Sequence, residues 1–290
     1  MTYNPCTRAE ILLEALPYIK KYTGSVLVIK YGGNSMVDEA AKLLALRDIA
    51  LLQAIGIKVV LVHGGGPEID VALGERKIEK KFVDGLRYTC EDTMQVVKSA
   101  LCDKINKSLV DILVENDAKA LGLSGVCHNF IKGKILNFER YGYVGTVESI
   151  DITPVTNTLT AGFIPVVAPV ATSEKGALNI NADIVAAHIA AELGAKKLIL
   201  MSDVKGILRD VNDLESLITV LTTDEAERLK TDGIITKGMI PKVDCCLQAI
   251  EMGVGSCTII DGRVTHGLLI EMLSDNGTGT MIHKGEFHEL

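Results

Sequence analysis

The stretch Val59-Val60-Leu61-Val62-His63-Gly64-Gly65-Gly66-Pro67 decides the fold of this chain. Four apolar residues, three of them β-branched, read as a strand buried on both faces. The run stops at three glycines, which let bare backbone approach a ligand closely and offer peptide N–H groups to an anion. The same design lies upstream, where Val26-Leu27-Val28-Ile29-Lys30 ends at Tyr31-Gly32-Gly33-Asn34 before a helical pattern from Asp38 to Ala54. Either loop by itself is equally what a tight strand-to-helix turn needs. Two such units side by side predict one phosphate-handling crevice at the carboxyl edge of a parallel sheet.

Neither common nucleotide fingerprint is present. No Gly-x-Gly-x-x-Gly opens a βαβ unit, and no Gly-x-x-x-x-Gly-Lys-Ser/Thr occurs, because Gly233 to Gly238 is followed by Met239. A nicotinamide dehydrogenase and a P-loop NTPase both lose ground. With 290 residues, 48% hydrophobic content and 27 glycines, the chain suits one large α/β domain or two joined lobes. A net charge of −7 and the lack of a long basic run argue against nucleic acid or a membrane as partner. No apolar run approaches the length of about eighteen residues that spans a bilayer. Arg8 and Glu10 sit where a signal peptide would need an apolar core, so a cytoplasmic protein is expected. Cys6, Cys90, Cys102, Cys127, Cys245, Cys246 and Cys257 form an odd set without Cys-x-x-Cys or metal-spaced histidines, which reads as reduced thiols and no metal site.

Periodicity organises the rest. Thr7-x-x-Glu10 has capping-box spacing and predicts a helix through Ile19, kinked by Pro17. Helices are predicted near 38–54 and 67–75, and a third carries Met94, Val97, Leu101, Ile105, Leu109 and Leu113. Residues 119–150 read as hairpins, 154–159 as helix, 164–168 as a buried strand, 172–177 as a polar turn and 182–193 as helix. From Lys197 the pattern restarts with strand 198–201, an irregular stretch 209–216, helices 224–230 and 241–252, strand 258–260 and helix 265–273. No proline-rich linker intervenes. The expected fold is α/β, with a mostly parallel central sheet flanked by helices as an α/β/α sandwich, and two lobes sharing that sheet and meeting near residue 195. The expected division is 1–24 for a kinked N-terminal helix, 25–195 for the first lobe and 196–290 for the second.

Lys30 stands at a strand end just before glycines, where a cation would face any anion the loop holds, although such lysines are often only solvated. Asn179 and Asp183 flank a helix entrance, where both are also ordinary caps. Ser202-Asp203-Val204-Lys205-Gly206 repeats the logic of a polar, glycine-containing loop, and alone is only a turn. Lys242 follows Pro241 in the first turn of a helix, where the dipole disfavours a cation unless an anion shares that end. Two lysines, glycine loops and one Asp are what phosphoryl transfer requires. With a carboxylate as acceptor, whose pKa is about 4.3, no general base is needed at neutral pH. His63, beside the glycines, is expected to satisfy backbone groups rather than titrate.

These residues, in this order, resemble the amino-acid kinase family from about residue 12 to residue 282. The resemblance is carried by Leu16 to Ile19, Lys30 to Asn34, Val62 to Pro67, Gly85 to Thr89, Asp103 to Lys107, Asn179 to Asp183, Ser202 to Leu208 and Gly238 to Lys242. It implies ATP-dependent phosphorylation of the γ-carboxylate of N-acetyl-L-glutamate, with Mg²⁺ held mainly by the nucleotide phosphates. An aminoadipate-type or glutamate 5-kinase is the alternative within the family, and a non-catalytic amino-acid sensor the alternative outside enzymes. It further implies that Lys30 and Lys242 stabilise the transferring phosphoryl group, that Asp183 orients both, and that Gly33 and Gly65 donate to phosphoryl oxygens. Gly65, Gly66, Arg87 and Asn179 would bind the amino acid, and Asp203, Val204, Lys205, Gly206, Ile207 and Leu208 with Ile234, Ile235 and Thr236 the ATP.

The sequence departs from the family pattern at Gly125-Val126-Cys127-His128 and at Lys237. Members with an N-terminal helix of this kind resemble arginine-inhibited hexamers, trimers of dimers, and those without it uninhibited dimers. By that resemblance the chain is expected to assemble as a homohexamer inhibited by L-arginine, with Lys197, Glu271 and Gly277 at the effector site.

Overall fold

The computed structural model describes residues 4–36 and 38–285, with the backbone alone described at 34, 35 and 237. The two glycine-ended runs are strands β1 (Val26–Tyr31) and β2 (Lys58–His63). The remaining strands of the central sheet are β3 (Ala120–Ser124), β4 (Ile164–Ala168), β5 (Lys197–Ser202), β6 (Val220–Thr222), β7 (Ser256–Asp261) and β8 (Thr280–His283). They lie in the order β6-β8-β7-β5-β1-β2-β4-β3. Every neighbouring pair is parallel except β7 with β8. The sheet runs unbroken across residue 195, because Leu27 of β1 pairs with Lys197 of β5.

The main helices are α1 (Pro5–Tyr22), α2 (Glu39–Ala54), α3 (Gly66–Glu75), α4 (Glu91–Lys98), α5 (Asn106–Glu115), α6 (Thr153–Thr160), α7 (Ala182–Glu192), α8 (Thr223–Thr231), α9 (Ile240–Glu251) and α10 (Gly267–Leu273). Alternate strand residues feed two separate cores, as a strand of period two requires. Val28, Val60, Val62 and Leu200 pack on one face with Leu159, Val185, Ala226 and Ala249 of α6, α7, α8 and α9. Leu27, Ile29, Leu61 and Ile199 pack on the other with Leu46, Leu109 and Met272 of α2, α5 and α10. The result is the expected three-layer sandwich. No helix among the described residues is long and apolar enough to cross a membrane, and all seven cysteines are free thiols.

The structure corrects several local expectations. Helix α1 starts at Pro5, capped by Asn4, whose Oδ1 accepts the Thr7 N–H at 2.9 Å. An Asn cap followed by proline at the first turn is a stronger start than the predicted Thr7 box. The stretch 119–150 is not all hairpin. Residues Ala120–Ser124 form the edge strand of the main sheet, and the departure at 125–128 is a helical turn leading out of it. Strands Ile131–Ile135 and Val144–Ile150 do pair antiparallel, and close with Val170–Ser173 and Gly176–Ile180 into a four-stranded barrel. The 172–177 turn is the tip of the second pair. Helices α4 and α5 are joined through a π-helical segment, Ser99–Ile105. Apolar residues repeating every four positions outrun a 3.6-residue turn, and wider turns return them to one face.

Gly279 allows β8 to lie along β7, since a Cβ there would collide with the Ile259 carbonyl. Gly279→Ala should lower the unfolding free energy by about 1–3 kcal/mol, read as a fall in thermal midpoint.

Candidate active site

Lys30 is the fifth residue of β1, 8% exposed, and its strand ends at the first glycine loop. A Cβ on Gly32 would sit 2.9 Å from Lys30 Nζ and 3.3 Å from the Gly64 Cα. The two loops therefore touch through bare backbone, and side chains on either would force them apart. Gly33 has φ +78°, a left-handed conformation that favours glycine. Gly65 and Gly66 open α3, where peptide N–H groups have no partner within the helix. A Cβ on Gly65 would collide with Ile105.

Asp183 binds the two lysines together. It sits in the first turn of α7, where its own N–H donates to Asn181 Oδ1 at 2.8 Å. Its Oδ1 lies 2.9 Å from Lys30 Nζ and its Oδ2 3.4 Å from Lys242 Nζ. Burial is the largest single influence on this carboxyl and opposes its ionisation, yet the Lys30 and Lys242 ammonium groups together hold its pKa below the ordinary value. The anion that makes a lysine tolerable at the start of α9 is thus Asp183. Behind it, the buried Cys245 thiol donates to the Asp183 carbonyl at 3.2 Å.

Arg87 leaves a hairpin, Phe82–Val83 paired with Leu86–Arg87, whose turn residues Asp84 and Gly85 both have positive φ. Its guanidinium pairs with Asp70 of α3 at 2.6 Å, donates to the Gly66 carbonyl at 3.2 Å and covers the Phe82 ring. Asn179 lies on a barrel strand and donates to Thr89 Oγ1 at 3.3 Å, two residues beyond Arg87. Further along the sheet, the loop after β5 carries Asp203, Val204 and Lys205 to Gly206. Its turn is fixed by Thr280 Oγ1, which accepts the Ile207 N–H at 2.8 Å, while Ile207 pairs with Ile218 and Leu208 with Leu217. Arg263 braces the same loop, donating to the Asp203 carbonyl at 2.8 Å while chelating Asp261. Ile234 and Ile235 both donate to the Leu229 carbonyl, and Thr236 leads into the short turn before α9. The side chain of Lys237 lies outside the described residues.

Lys197, Glu271 and Gly277 meet away from this crevice. Lys197 Nζ pairs with Glu271 Oε1 at 2.7 Å, both side chains about 95% buried. Gly277 backs against that carboxylate, leaving no room for a Cβ. They line a cavity of about 540 Å³ with Tyr18, Lys21 and Tyr22 of α1.

Sequence reading passed over Asp70, Thr280 and Arg263, whose roles exist only through contacts with distant segments. His63 behaves as expected of a backbone partner. It is wholly buried, its Nδ1 faces the Gly64 carbonyl at 2.8 Å, and burial pushes its pKa down to about 4.

Residues 25–261 match the amino acid kinase family. An acetylglutamate kinase from Synechococcus is 48% identical over 98% of this chain and 91% of its own length. Another, from Clostridium beijerinckii, is 43% identical over 97% and 99% respectively. Among solved structures, the N-acetylglutamate synthase of Neisseria gonorrhoeae, complexed with coenzyme A and N-acetyl-glutamate, superposes with a TM-score of 0.83. It is 24% identical, and the match covers 96% of this chain but 64% of that one, which speaks to the fold alone. A carboxylate between two lysines at touching glycine loops, on a sheet of this order, together with these matches, places the chain in the amino acid kinase family.

Proposed function

We propose that this enzyme transfers the γ-phosphoryl group of ATP to the γ-carboxylate of N-acetyl-L-glutamate, a step of arginine biosynthesis. The observation that carries the reading is the Lys30–Asp183–Lys242 cluster, seen in a chain whose 43–48% identical relatives are acetylglutamate kinases. A carboxylate oxygen of the substrate forms a bond to the γ-phosphorus as the bond from that phosphorus to the β,γ-bridging oxygen breaks. The products are an acyl phosphate and ADP, and no proton changes place. Lys30 and Lys242 stabilise charge on the transferring group, Gly33 and Gly65 donate peptide N–H groups to its oxygens, and Asp183 holds the two ammonium groups in place against their mutual repulsion.

Arg87, Asn179 and the Gly65–Gly66 backbone hold the amino acid, its carboxylate displacing Asp70 from the guanidinium. The segments 203–208 and 234–236 hold the nucleotide. We assign 25–195 to the amino acid and 196–290 to ATP. Among the described residues no cluster of three acidic or other metal-ligating side chains exists, and both Asp183 oxygens face lysines. Mg²⁺ would arrive on the nucleotide phosphates.

The N-terminal segment 1–24 is assigned to assembly of a hexamer, a trimer of dimers. No residue of α1 is buried, and Leu12 and Leu13 are 70% and 66% exposed. Its neighbour, the cavity at Lys197, Glu271 and Gly277, is assigned to L-arginine as inhibitor, whose guanidinium suits a carboxylate.

Acyl phosphate formation from ATP and a panel of acetylated and free acidic amino acids, trapped as hydroxamate, tests the reaction. Product from free glutamate or aminoadipate in place of acetylglutamate would reassign the substrate. Lys30→Ala and Lys242→Ala should each lower kcat by about 10²–10³ while changing both KM values far less; full turnover in either variant removes that lysine from the mechanism. Arg87→Ala should raise the KM for acetylglutamate by about tenfold to a hundredfold, the loss of one charged hydrogen-bonding group, and leave the KM for ATP unchanged. Deleting residues 1–24 should give dimers, on sedimentation, whose rate ignores millimolar arginine, whereas Glu271→Gln should keep the larger assembly and weaken inhibition.

A further inference from the structure

Two buried side chains outside the reacting set, His63 and Asn106, are tied by hydrogen bonds to the second glycine loop. Asn106 opens α5 directly after the π-helical segment and is 6% exposed; His63 ends β2 and is fully buried. The Asn106 Nδ2 lies 2.8 Å from the Val166 carbonyl of β4 and 3.2 Å from His63 Nε2. A carbonyl only accepts, so the atom facing Val166 is the amide nitrogen, and the Asn orientation is settled. The other amide hydrogen then meets His63 Nε2, which must accept. The single ring proton is left on Nδ1, which gives it to the Gly64 carbonyl at 2.8 Å. Turning the amide round would set the Asn106 oxygen against the Val166 carbonyl. Its present oxygen occupies the place where a Cβ on Gly122 of β3 would be, so that glycine makes room for the side chain in this orientation.

The Gly64 peptide N–H is also committed, donating to the Tyr31 carbonyl at 2.7 Å. Because a peptide unit is planar and trans, fixing the Gly64 carbonyl fixes the Gly65 N–H, which points the opposite way from the same plane. We infer that Asn106 and His63 form a positioning relay that holds the ring in its neutral Nδ1–H form and thereby aims the Gly65 N–H at the transferring phosphoryl group. The relay rests on the reading of this loop as the phosphoryl-binding loop. It makes His63 a positioning residue, with no proton to give or take in the reaction. Its burial, which keeps the ring uncharged down to about pH 4, agrees with that role.

Nitrogen NMR of the full-length protein labelled at histidine reads the tautomer directly. The expected result at pH 7 is a neutral ring protonated at Nδ1; an Nε2–H tautomer or an imidazolium overturns the relay, whatever substrate the enzyme proves to use. Steady-state kinetics read the consequence. His63→Leu should lower kcat by about tenfold to a hundredfold, the cost of a small misplacement of a reacting group. Both KM values should stay within about threefold. His63→Asn, whose amide can reach the Gly64 carbonyl from the Nδ1 position, should recover most of that loss. A folded His63→Leu enzyme with full kcat, or one whose defect lies in KM, overturns the inference. Should His63→Leu not fold, Asn106→Asp, of equal size, serves in its place: its carboxylate should draw a proton onto Nε2, visible in the same spectrum, and kcat should fall. Unchanged kcat alongside a protonated ring overturns the relay. If the wild-type enzyme makes no acyl phosphate, the proposed reaction fails while the tautomer still decides the relay.

Discussion

Two ammonium groups converging on one crevice repel each other, and everything about the candidate site follows from how that repulsion is met. At an effective dielectric constant of about 20, unit charges about 4 Å apart interact by roughly 4 kcal/mol. Asp183 lies between Lys30 and Lys242, one oxygen to each. Two positive charges and one negative leave a single positive charge, enough to attract a polyphosphate without driving the lysines apart. The carboxylate is just as dependent on its partners, since burial alone would push it toward the neutral acid. Removing Asp183 leaves two ammonium groups without their shared counter-charge, and breaking a buried pair in this way typically costs about 3–5 kcal/mol.

The sheet order places this cluster. Lys30 comes from β1 in the middle of the sheet, Asp183 from the start of α7 and Lys242 from the start of α9, so three separate segments end at one carboxyl edge. The lysines approach from either side of the junction between β1 and β5. The two glycine loops lie against each other at this edge because Gly32 and Gly64 leave their backbones free to meet.

The strands that bury both faces were legible because they are short apolar runs bounded by glycine or charge. So were the long helices, through their periodicity and caps such as Asp38 ahead of α2. The elements that escaped are those whose stability is not local. Val220–Thr222 and Thr280–His283 are three and four residues long; the first pairs with the second, distant in sequence, and the second is itself held against β7. The barrel strands alternate with glycines and small helical turns, and only their closure against one another makes them a unit. The π-helical segment before Asn106 follows from apolar residues spaced by four, but its close fit of Leu101 and Ile105 against Gly65 joins segments that no single window of sequence contains.

By itself, the sequence determined the parts whose physics is local: glycines where backbone must approach closely, a lysine at each of two element ends, a capped acid at a helix start. It also excluded the common nucleotide fingerprints, because those require fixed spacings that are absent. The family resemblance implied that Asp183 serves both lysines, and the tertiary structure supplies the contacts; it alone decided that Arg87 is held by Asp70 and that Asn106 imposes one tautomer on His63. Each of those depends on distances between segments from under twenty to more than a hundred residues apart. Such distances are set by how strands order themselves in a sheet, and residue type and spacing along the chain carry no record of them.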